Sequence, residues 1–459
     1  VNGEGDTIAA LATAPGRGAV AIVRVSGPAA REVGERVFRS ARPLRARVAT
    51  RGAVHAADGG TLDEGLALWF PGPRSYTGED VLELHVHGSP AVARETLLAA
   101  LAAGARLANP GEFTRRAFLA GKMDLSAAEA VAEIVAAEHR GAVRAAAANL
   151  SGGLAREVER LRESLSTTLT ELAAALDFPD EVEAPSRDAL QARLTEVRAG
   201  LQALAATWER GRLVREGVSV AIVGPPNAGK SSLLNALLGS DRALVSEVAG
   251  TTRDTIEETL ALEGAGGGGA GFVARLIDTA GIRGHADRLE AAGIARTERA
   301  LAQARIALVV IDASLPLRPE ARDLLERTRG RERLLFFNKA DLGRTGFEAR
   351  EPAEREAIVG STGDPASLAA LRRALVELAG GGSAADLERP HLATARQADA
   401  VLEAGRSLDA ALATLAAAAP VDLLAGDVLL ASAALGELTG RDAGEALLDQ
   451  IFARFCVGK

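Results

Sequence analysis

The chain has 459 residues but only one cysteine, one methionine, one tyrosine and two tryptophans, and aromatic residues make up 3% of it. A single thiol, Cys456, excludes a disulfide framework and a cysteine-built zinc site. With so few rings, the cores must come from aliphatic side chains, largely packed between helices. No apolar run approaches the roughly 18 uncharged residues of a membrane span, and the first residues lack a basic-then-apolar leader pattern. Positive charge is scarce as well. Lys and Arg total 53 against 61 Asp and Glu, a net charge of −8, so no global basic field marks the chain as a nucleic-acid binder. Any RNA must be held by a local patch or by a surface shared with a partner. The length suits two to four domains with sizeable cores.

What is present is a phosphate-binding pattern. The apolar run from Val218 to Val223 is followed by Gly224, Pro225, Pro226, Asn227, Ala228, Gly229, Lys230, Ser231, which fits G-x-x-x-x-G-K-[ST]. The glycines let main-chain N–H groups turn onto phosphates, Lys230 reaches the β/γ oxygens, and the Ser231 hydroxyl, with Ser232 beside it, suits Mg²⁺. Leu233, Leu234, Leu237 and Leu238 predict an amphipathic helix whose positive end faces the same anion. A bare Gly-rich turn would read alike, but two further elements follow in order. The run from Phe272 to Ile277 predicts a strand ending in Asp278, Thr279, Ala280, Gly281, where a carboxylate holds Mg²⁺ through water and a glycine approaches the γ-phosphate. The strand from Leu334 to Phe337 ends in Asn338, Lys339, Ala340, Asp341. The Asp341 carboxylate matches the two N–H donors on guanine's Watson–Crick edge, the Lys339 stem lies over the base, and Asn338 braces the loops. Adenine would leave that carboxylate unpaired, so the triad favours GTP over ATP.

After Gly281 comes Ile282, where many small GTPases carry a glutamine that orients water. Isoleucine neither donates nor accepts, so hydrolysis must find its water-positioning and charge-neutralising groups elsewhere. Thr251, Thr252, Arg253 and Asp254 after Gly250, with Arg283 and Glu290, are the candidates; Thr252 would complete Mg²⁺ coordination. Arg253 and Arg283 read equally as solvated surface charges. The Gly-rich stretch 264–271 reads as a hairpin loop between two strands, because no lysine follows it.

Residues 1–120 alternate short strand-like runs (Val20 to Val25, Leu66 to Phe70, Val81 to Val86) with a helical stretch, Ala91 to Ala103, as in an α+β module. His85 and His87 share one strand face, as a strand pair with polar partners or as two of the three ligands a metal would need. Residues 121–215 turn helical: Leu154, Val158, Leu161, Leu165, Leu169, Leu172 and Leu176 recur at three and four. After a break at Phe178, Pro179, Asp180 the pattern resumes from Leu190 to Trp208. Helical texture returns over 381–459, at Ala398 to Leu415, Val421 to Leu438 and Ala443 to Phe455. The simplest arrangement inserts a doubly wound α/β nucleotide domain, 216–380, into one helical domain assembled from 121–215 and 381–459.

Over essentially its whole length the chain resembles the bacterial tRNA modification GTPases of the MnmE (TrmE) family. The stretches that carry this are Pro15 to Gly18, Val20 to Gly27, Trp69 to Gly72, Thr77 to Glu83, Pro110 to Arg116, Lys122 to Leu125, Pro226 to Asn235, Gly250 to Asp254, the loops named above, and Phe455, Cys456, Val457, Gly458, Lys459. The resemblance implies a multidomain α/β plus α fold: an N-terminal folate-binding-like and dimerising domain, a helical domain, and a GTPase domain. It also implies a cytoplasmic homodimer that works on tRNA with an FAD-dependent partner enzyme, MnmG (GidA). Together they modify the wobble uridine at C5, to an aminomethyl or carboxymethylaminomethyl type, with a one-carbon unit from 5-formyl- or methylene-tetrahydrofolate. Arg24, Glu83, Lys122 and Lys459 resemble the folate-contacting residues. K⁺ would replace an arginine finger, held by the Asn227 side chain and by Ser246, Val248 and Thr251, while Glu290 would orient the water. The family's Ser-Ala after the last strand is replaced by Val359, Gly360, Ser361, Thr362, Gly363, with Ser361 nearest in role. Cys456 reads as a buried or partner-facing structural thiol or, less economically, as a nucleophile. A ribosome-assembly GTPase and a stand-alone folate-dependent transferase are the alternatives from other classes.

Overall fold

The computed structural model describes residues 5–178, 180–239, 258–262, 272–277, 290–343, 357–379, 389–417 and 419–459. The chain divides into two compact units: residues 1–132, 149–198 and 400–459 form one, 133–148 and 199–399 the other.

In the first unit a seven-stranded sheet runs in the order β3-β4-β5-β6-β2-β1-β7. Its strands are β1 (Ile8–Leu11), β2 (Val20–Ser26), β3 (Phe38–Arg39), β4 (Thr50–His55), β5 (Thr61–Phe70), β6 (Val81–His87) and β7 (Arg106–Leu107). Alternation along β2, β5 and β6 sends Val23, Val25, Ala67, Trp69, Leu82, Leu84 and Val86 to one face, where the helices Ala30–Val37 and Pro90–Ala102 cover them. The opposite face carries Arg24, Glu83, His85 and Leu66, set side by side by the register Arg24↔Glu83 and Leu66↔His85. The three expected strands and the helix are present; β5 starts five residues earlier than its apolar core suggests, because Thr61 to Gly65 pair with β4.

The helix Gly153–Asp177 packs on Val421–Thr439, so helices from either side of the second unit share one layer. Leu154, Val158, Leu161, Leu165 and Leu172 are its buried stripe; of the other expected members Leu169 is half-buried and Leu176, in the last turn, is exposed. Arg198 holds Asp409 through two hydrogen bonds of 2.7 and 2.9 Å, tying Arg187–Ala205 to Ala395–Ala416. Residues late in the sequence also complete the start of the helix Glu112–Leu119. Gly111 donates to the Cys456 carbonyl at 3.4 Å, Phe113 to that of Lys459 at 3.2 Å, and Pro110 pairs with Val457.

The second unit contains a six-stranded sheet, β13-β12-β11-β8-β10-β9. Its strands are β8 (Val218–Val223), β9 (Glu258–Leu262), β10 (Phe272–Ile277), β11 (Ile306–Asp312), β12 (Arg333–Asn338) and β13 (Ile358–Val359). All neighbours are parallel except β9 and β10, which pair antiparallel in the register Phe272↔Leu262; the Gly-rich stretch 264–271, expected as a hairpin loop, lies outside the described residues. One face buries Val218, Val220 and Ile222 against Lys230–Gly239 and Pro365–Leu378; the other buries Val309 and Ile311 against Glu290–Gln303 and Pro319–Thr328. Helices on both faces of a mainly parallel sheet define a doubly wound α/β domain.

Candidate functional site

The phosphate loop leaves the tip of β8. Asn227 stands at φ 62° and Gly229 at φ 94°, two left-handed residues that turn the main chain back on itself before the helix Lys230–Gly239 starts. Asparagine tolerates this conformation because its short polar side chain satisfies itself locally. At Gly229 nothing else fits: a Cβ would lie 2.2 Å from the Asn338 amide nitrogen. Lys230 curls over the loop, donating to the carbonyls of Gly224 and Pro225 at 2.7 Å each. Burial pushes its ammonium below the ordinary lysine range, so the site favours an anion that would stabilise the charged form. Ser231 and Ser232 are exposed on the first helical turn, where a hydroxyl suits a divalent cation.

The base-side loop is bolted to this one. Asn338 is buried at the tip of β12; its amide donates to the Ala228 carbonyl at 2.9 Å, and its amide oxygen accepts the Thr362 N–H at 3.0 Å. It braces three loops, as its spacing predicts. Lys339, also left-handed at φ 62°, donates to the Asn227 carbonyl and to the Asp312 carboxylate, both at 2.7 Å. Burial raises the Asp312 carboxyl, but the Lys339 ammonium and two hydrogen bonds from Ser314 outweigh it and hold the group below its usual range. Asp341 is exposed on the turn after Lys339, free of the β12 tip. Ser361 sits on the loop after β13, accepting from the Gly363 N–H at 3.3 Å and donating its own N–H to Ser367 Oγ at 3.3 Å. The Val359–Gly360 departure has a steric explanation: a Cβ on Gly360 would lie 2.1 Å from Ser367 Oγ.

Asp312 was not a candidate from spacing. Its signal is the apolar run Ile306 to Ile311 ending in an acid, the same strand-then-carboxylate grammar that marks Asp278. Ser246, Val248, Thr251, Thr252, Arg253, Asp278, Thr279, Ala280 and Gly281 lie outside the described residues. Glu290 opens the helix Glu290–Gln303, and its side chain lies outside them too.

In the first unit, Arg24 pairs with Glu83 at 2.8 Å, and its guanidinium sits 5.4 Å from the Tyr76 ring and 5.7 Å from that of Phe113. Glu83 also faces His85 Nε2 at 3.3 Å, and His87 pairs with Asp63 at 2.8 Å, so both histidines have carboxylate partners. The Lys459 main chain meets Phe113, and the Lys122 stem passes 3.7 Å from a Cβ built on Gly78, two residues from Tyr76. Arg24 and Glu83 thus sit together beside Tyr76 and Phe113, Lys459 reaches Phe113 through its main chain, and Lys122 lies beside Gly78.

A left-handed glycine loop between a strand tip and a helix, with a half-buried lysine and an Asn-Lys brace across the next parallel strands, defines a P-loop nucleotide-binding domain. A family profile described as "GTP-binding protein TrmE N-terminus" matches residues 7–122, and one described as "MnmE helical domain" matches residues 125–456. The protein named tRNA modification GTPase MnmE is 42% identical in Moorella thermoacetica and 44% in Symbiobacterium thermophilum, over 99% of both chains in each case. In Xanthomonas campestris it is 41% identical over 100% of both. The chain belongs to the MnmE (TrmE) family of tRNA modification GTPases. Among solved structures it is similar to Era in complex with MgGDPNP and 16S ribosomal RNA nucleotides (21% identity, TM-score 0.27, 41% of this chain and 66% of that one). It is also similar to the G domain of the T. maritima FeoB iron transporter (24%, TM-score 0.24, 35% and 98%). No helix among the described residues is long and apolar enough to cross a membrane.

Proposed function

We propose that the chain is a K⁺-stimulated GTPase that, with the FAD-dependent partner MnmG, modifies the wobble uridine of tRNA at C5 using a tetrahydrofolate one-carbon unit. The observation that carries the nucleotide half is the brace from Lys339 to Asn227 and from Asn338 to Ala228, which locks the base loop to the phosphate loop. In this reading Lys230 reaches the β/γ-phosphates once they displace the Gly224 and Pro225 carbonyls. Asp341 reads guanine, and Ser361 and its neighbours supply main-chain N–H groups to the base's oxygen. Ser231 and Thr252 would hold Mg²⁺, which supplies charge neutralisation on the phosphate oxygens. Asn227, whose side chain is exposed and whose main chain is fixed by Lys339, fits a K⁺ ligand; Ser246, Val248 and Thr251 would complete that set. K⁺ held there would supply the charge neutralisation on the phosphates that an arginine finger gives elsewhere. Glu290 positions the water that Ile282 cannot, with Thr251 and Arg253 as neighbours.

For the folate half, the donor set fits a flat heterocycle carrying an acidic tail. The half-buried Tyr76 offers ring surface, backed by the fully buried Phe113, Glu83 is an acceptor for amino groups, and Arg24, Lys122 and Lys459 suit carboxylates. The bound folate supplies the one-carbon unit; these side chains orient it. The homodimer through the first domain and a cytoplasmic location belong to the same reading.

The test is turnover of the full-length chain in K⁺ and Na⁺ at matched ionic strength, with GDP and ADP titrated by calorimetry. Faster hydrolysis in K⁺ and binding of GDP alone are expected. Equal turnover in both salts removes the cation, and equal binding of ADP removes the guanine reading. Glu290→Ala should slow turnover and leave GTP affinity nearly unchanged. Restoration of modified wobble uridine in deficient tRNA only when partner, GTP and folate are all present tests the remainder.

A further inference from the structure

The acidic balance of the chain hides one strongly basic margin. From Val37 to Ala57 there are five arginines and no carboxylate: Arg39, Arg42, Arg45, Arg47 and Arg51. All five are exposed, and so is Arg74. The fold gathers them at one end of the first unit's sheet. Arg39 is on the edge strand β3, opposite Ala53; Arg51 is on β4, opposite Leu66; residues 40–49 connect the two. At the end of that connection Ala46 bridges Trp69, Arg47 donates its N–H to the Trp69 carbonyl at 2.8 Å, and its guanidinium bonds the Arg74 carbonyl.

The pairing of these cations is unlike that of other arginines in the same unit. Arg31, Arg36, Arg160, Arg193 and Arg198 each hold a carboxylate within 3 Å. Along the margin only Arg51 does, through the exposed Glu64 at 2.6 Å; Arg39, Arg42, Arg45 and Arg74 have no carboxylate partner among the described residues. Keeping that many like charges together raises the local potential, which the phosphates of a polyanion lower while release of their condensed counterions drives association. The arginines are strung along an edge and do not converge on a pocket, so they suit an extended chain of phosphates better than one small anion. Guanidinium forks bind phosphate oxygens in pairs.

We propose that this margin receives the phosphodiester backbone of the tRNA substrate, an inference that rests on the tRNA reading above and gives it a place. The contacts are to phosphates and carry affinity and register, not base sequence.

The test compares two full-length variants that each remove four positive charges. R39Q/R42Q/R45Q/R74Q strips the margin and spares Arg47, whose side chain holds the Arg74 carbonyl. R156Q/R160Q/R406Q/R441Q strips exposed arginines elsewhere. Affinity for tRNA is followed by anisotropy from 50 to 200 mM KCl, with GTP turnover measured alongside. The margin variant should lose about 0.7–0.9 in salt slope per contact, roughly 3 for four, and bind at least about tenfold more weakly near 0.1 M salt, with turnover unchanged. The control variant should stay within about threefold of the parent chain. If the margin variant folds poorly, R42Q/R45Q, confined to the connection, should lose roughly 1.5 in slope. Equal slopes for margin and control variants overturn the proposal while leaving the tRNA reading intact. Failure of the unaltered chain to bind tRNA at all overturns the reading itself and the proposal with it.

Discussion

The Lys339 ammonium lies 2.7 Å from the Asn227 carbonyl oxygen, and both residues are left-handed at φ 62°. Each conformation costs a non-glycine residue of order 1 kcal/mol or more, and the hydrogen bond between them, fixed from below by Asp312, keeps both. A disturbance in the base loop is therefore felt at the phosphate loop.

Replacing the fixing carboxylate tests this relationship directly. Asp312→Asn keeps an acceptor for Lys339 but removes its charge, and should weaken GDP binding by about three- to tenfold, roughly 1 kcal/mol. A double-mutant cycle with Lys339→Met, read by calorimetry, should show coupling of similar size. Because the native carboxyl is held below its ordinary value of 3.8, its contribution to stability is present above that value and is lost as pH falls through the lowered one. Acid melts of Asp312→Asn should accordingly be flatter below about pH 4 than those of the parent chain.

Lys230 makes the opposite demand. Its folded pKa is lowered by burial, so the protonated form is disfavoured by folding. Its cost is full below the folded pKa and fades as pH rises to the unfolded one. Lys230→Met should leave the melting temperature without nucleotide equal to or above that of the parent chain. The stabilisation by GDP, about 2.7 kcal/mol at a hundredfold excess over Kd for the parent, should disappear in the same scanning-fluorimetry assay. A lower melting temperature without nucleotide would mean that the two carbonyl contacts hold the loop.

Gly360→Ala places a methyl 2.1 Å from Ser367 Oγ, whereas the same change at Gly330 meets nothing within 4 Å. The first should cost about 1–3 kcal/mol in urea unfolding and should weaken guanine binding, because Gly360 donates to Phe337 and accepts from Ala340, the residue before Asp341. The second should be silent in both measurements.

In the first unit, Glu112 is the hub of a half-buried network. Its carboxylate accepts from Arg106 at 2.5 and 2.8 Å, from Arg116 at 2.9 Å and from the Asn109 N–H at 2.8 Å. Burial raises its carboxyl, yet those donors bring it from 4.5 down to about 2. Its contribution is complete above pH 4.5 and is lost as pH falls through about 2. Glu112→Gln should cost about 1–3 kcal/mol at neutral pH and remove that acid dependence, as measured by circular dichroism between pH 2 and 6.

The parts of this architecture that declare themselves in sequence have one strong local cause each. The phosphate loop is legible because its chemistry needs Gly229, Lys230 and Ser231 in fixed order. The helix Gly153–Asp177 is legible because its buried leucines repeat at three and four. The two-residue strands β3 and β7 are not legible, since only pairing with β4 and β1 makes them strands. The helical pattern from Leu190 to Trp208 breaks at Ala206, where Thr207 gives its hydroxyl to the Leu204 carbonyl and accepts the Leu392 N–H, a partner 185 positions away. Asp312 belongs to the same kind: its strand is visible, but its role appears only when β11 lies beside β12 and puts it next to Lys339.

The attachment of Cys456 and Lys459 to Gly111 and Phe113 imposes an order on biosynthesis. A ribosome adds about 5–20 residues per second, so the helix beginning at Glu112 emerges roughly tens of seconds before the carbonyls that cap it exist. Throughout that interval the newborn first domain presents unmatched amide donors at a seam that residues 456–459 close. Products terminated before residue 456 would keep that seam open.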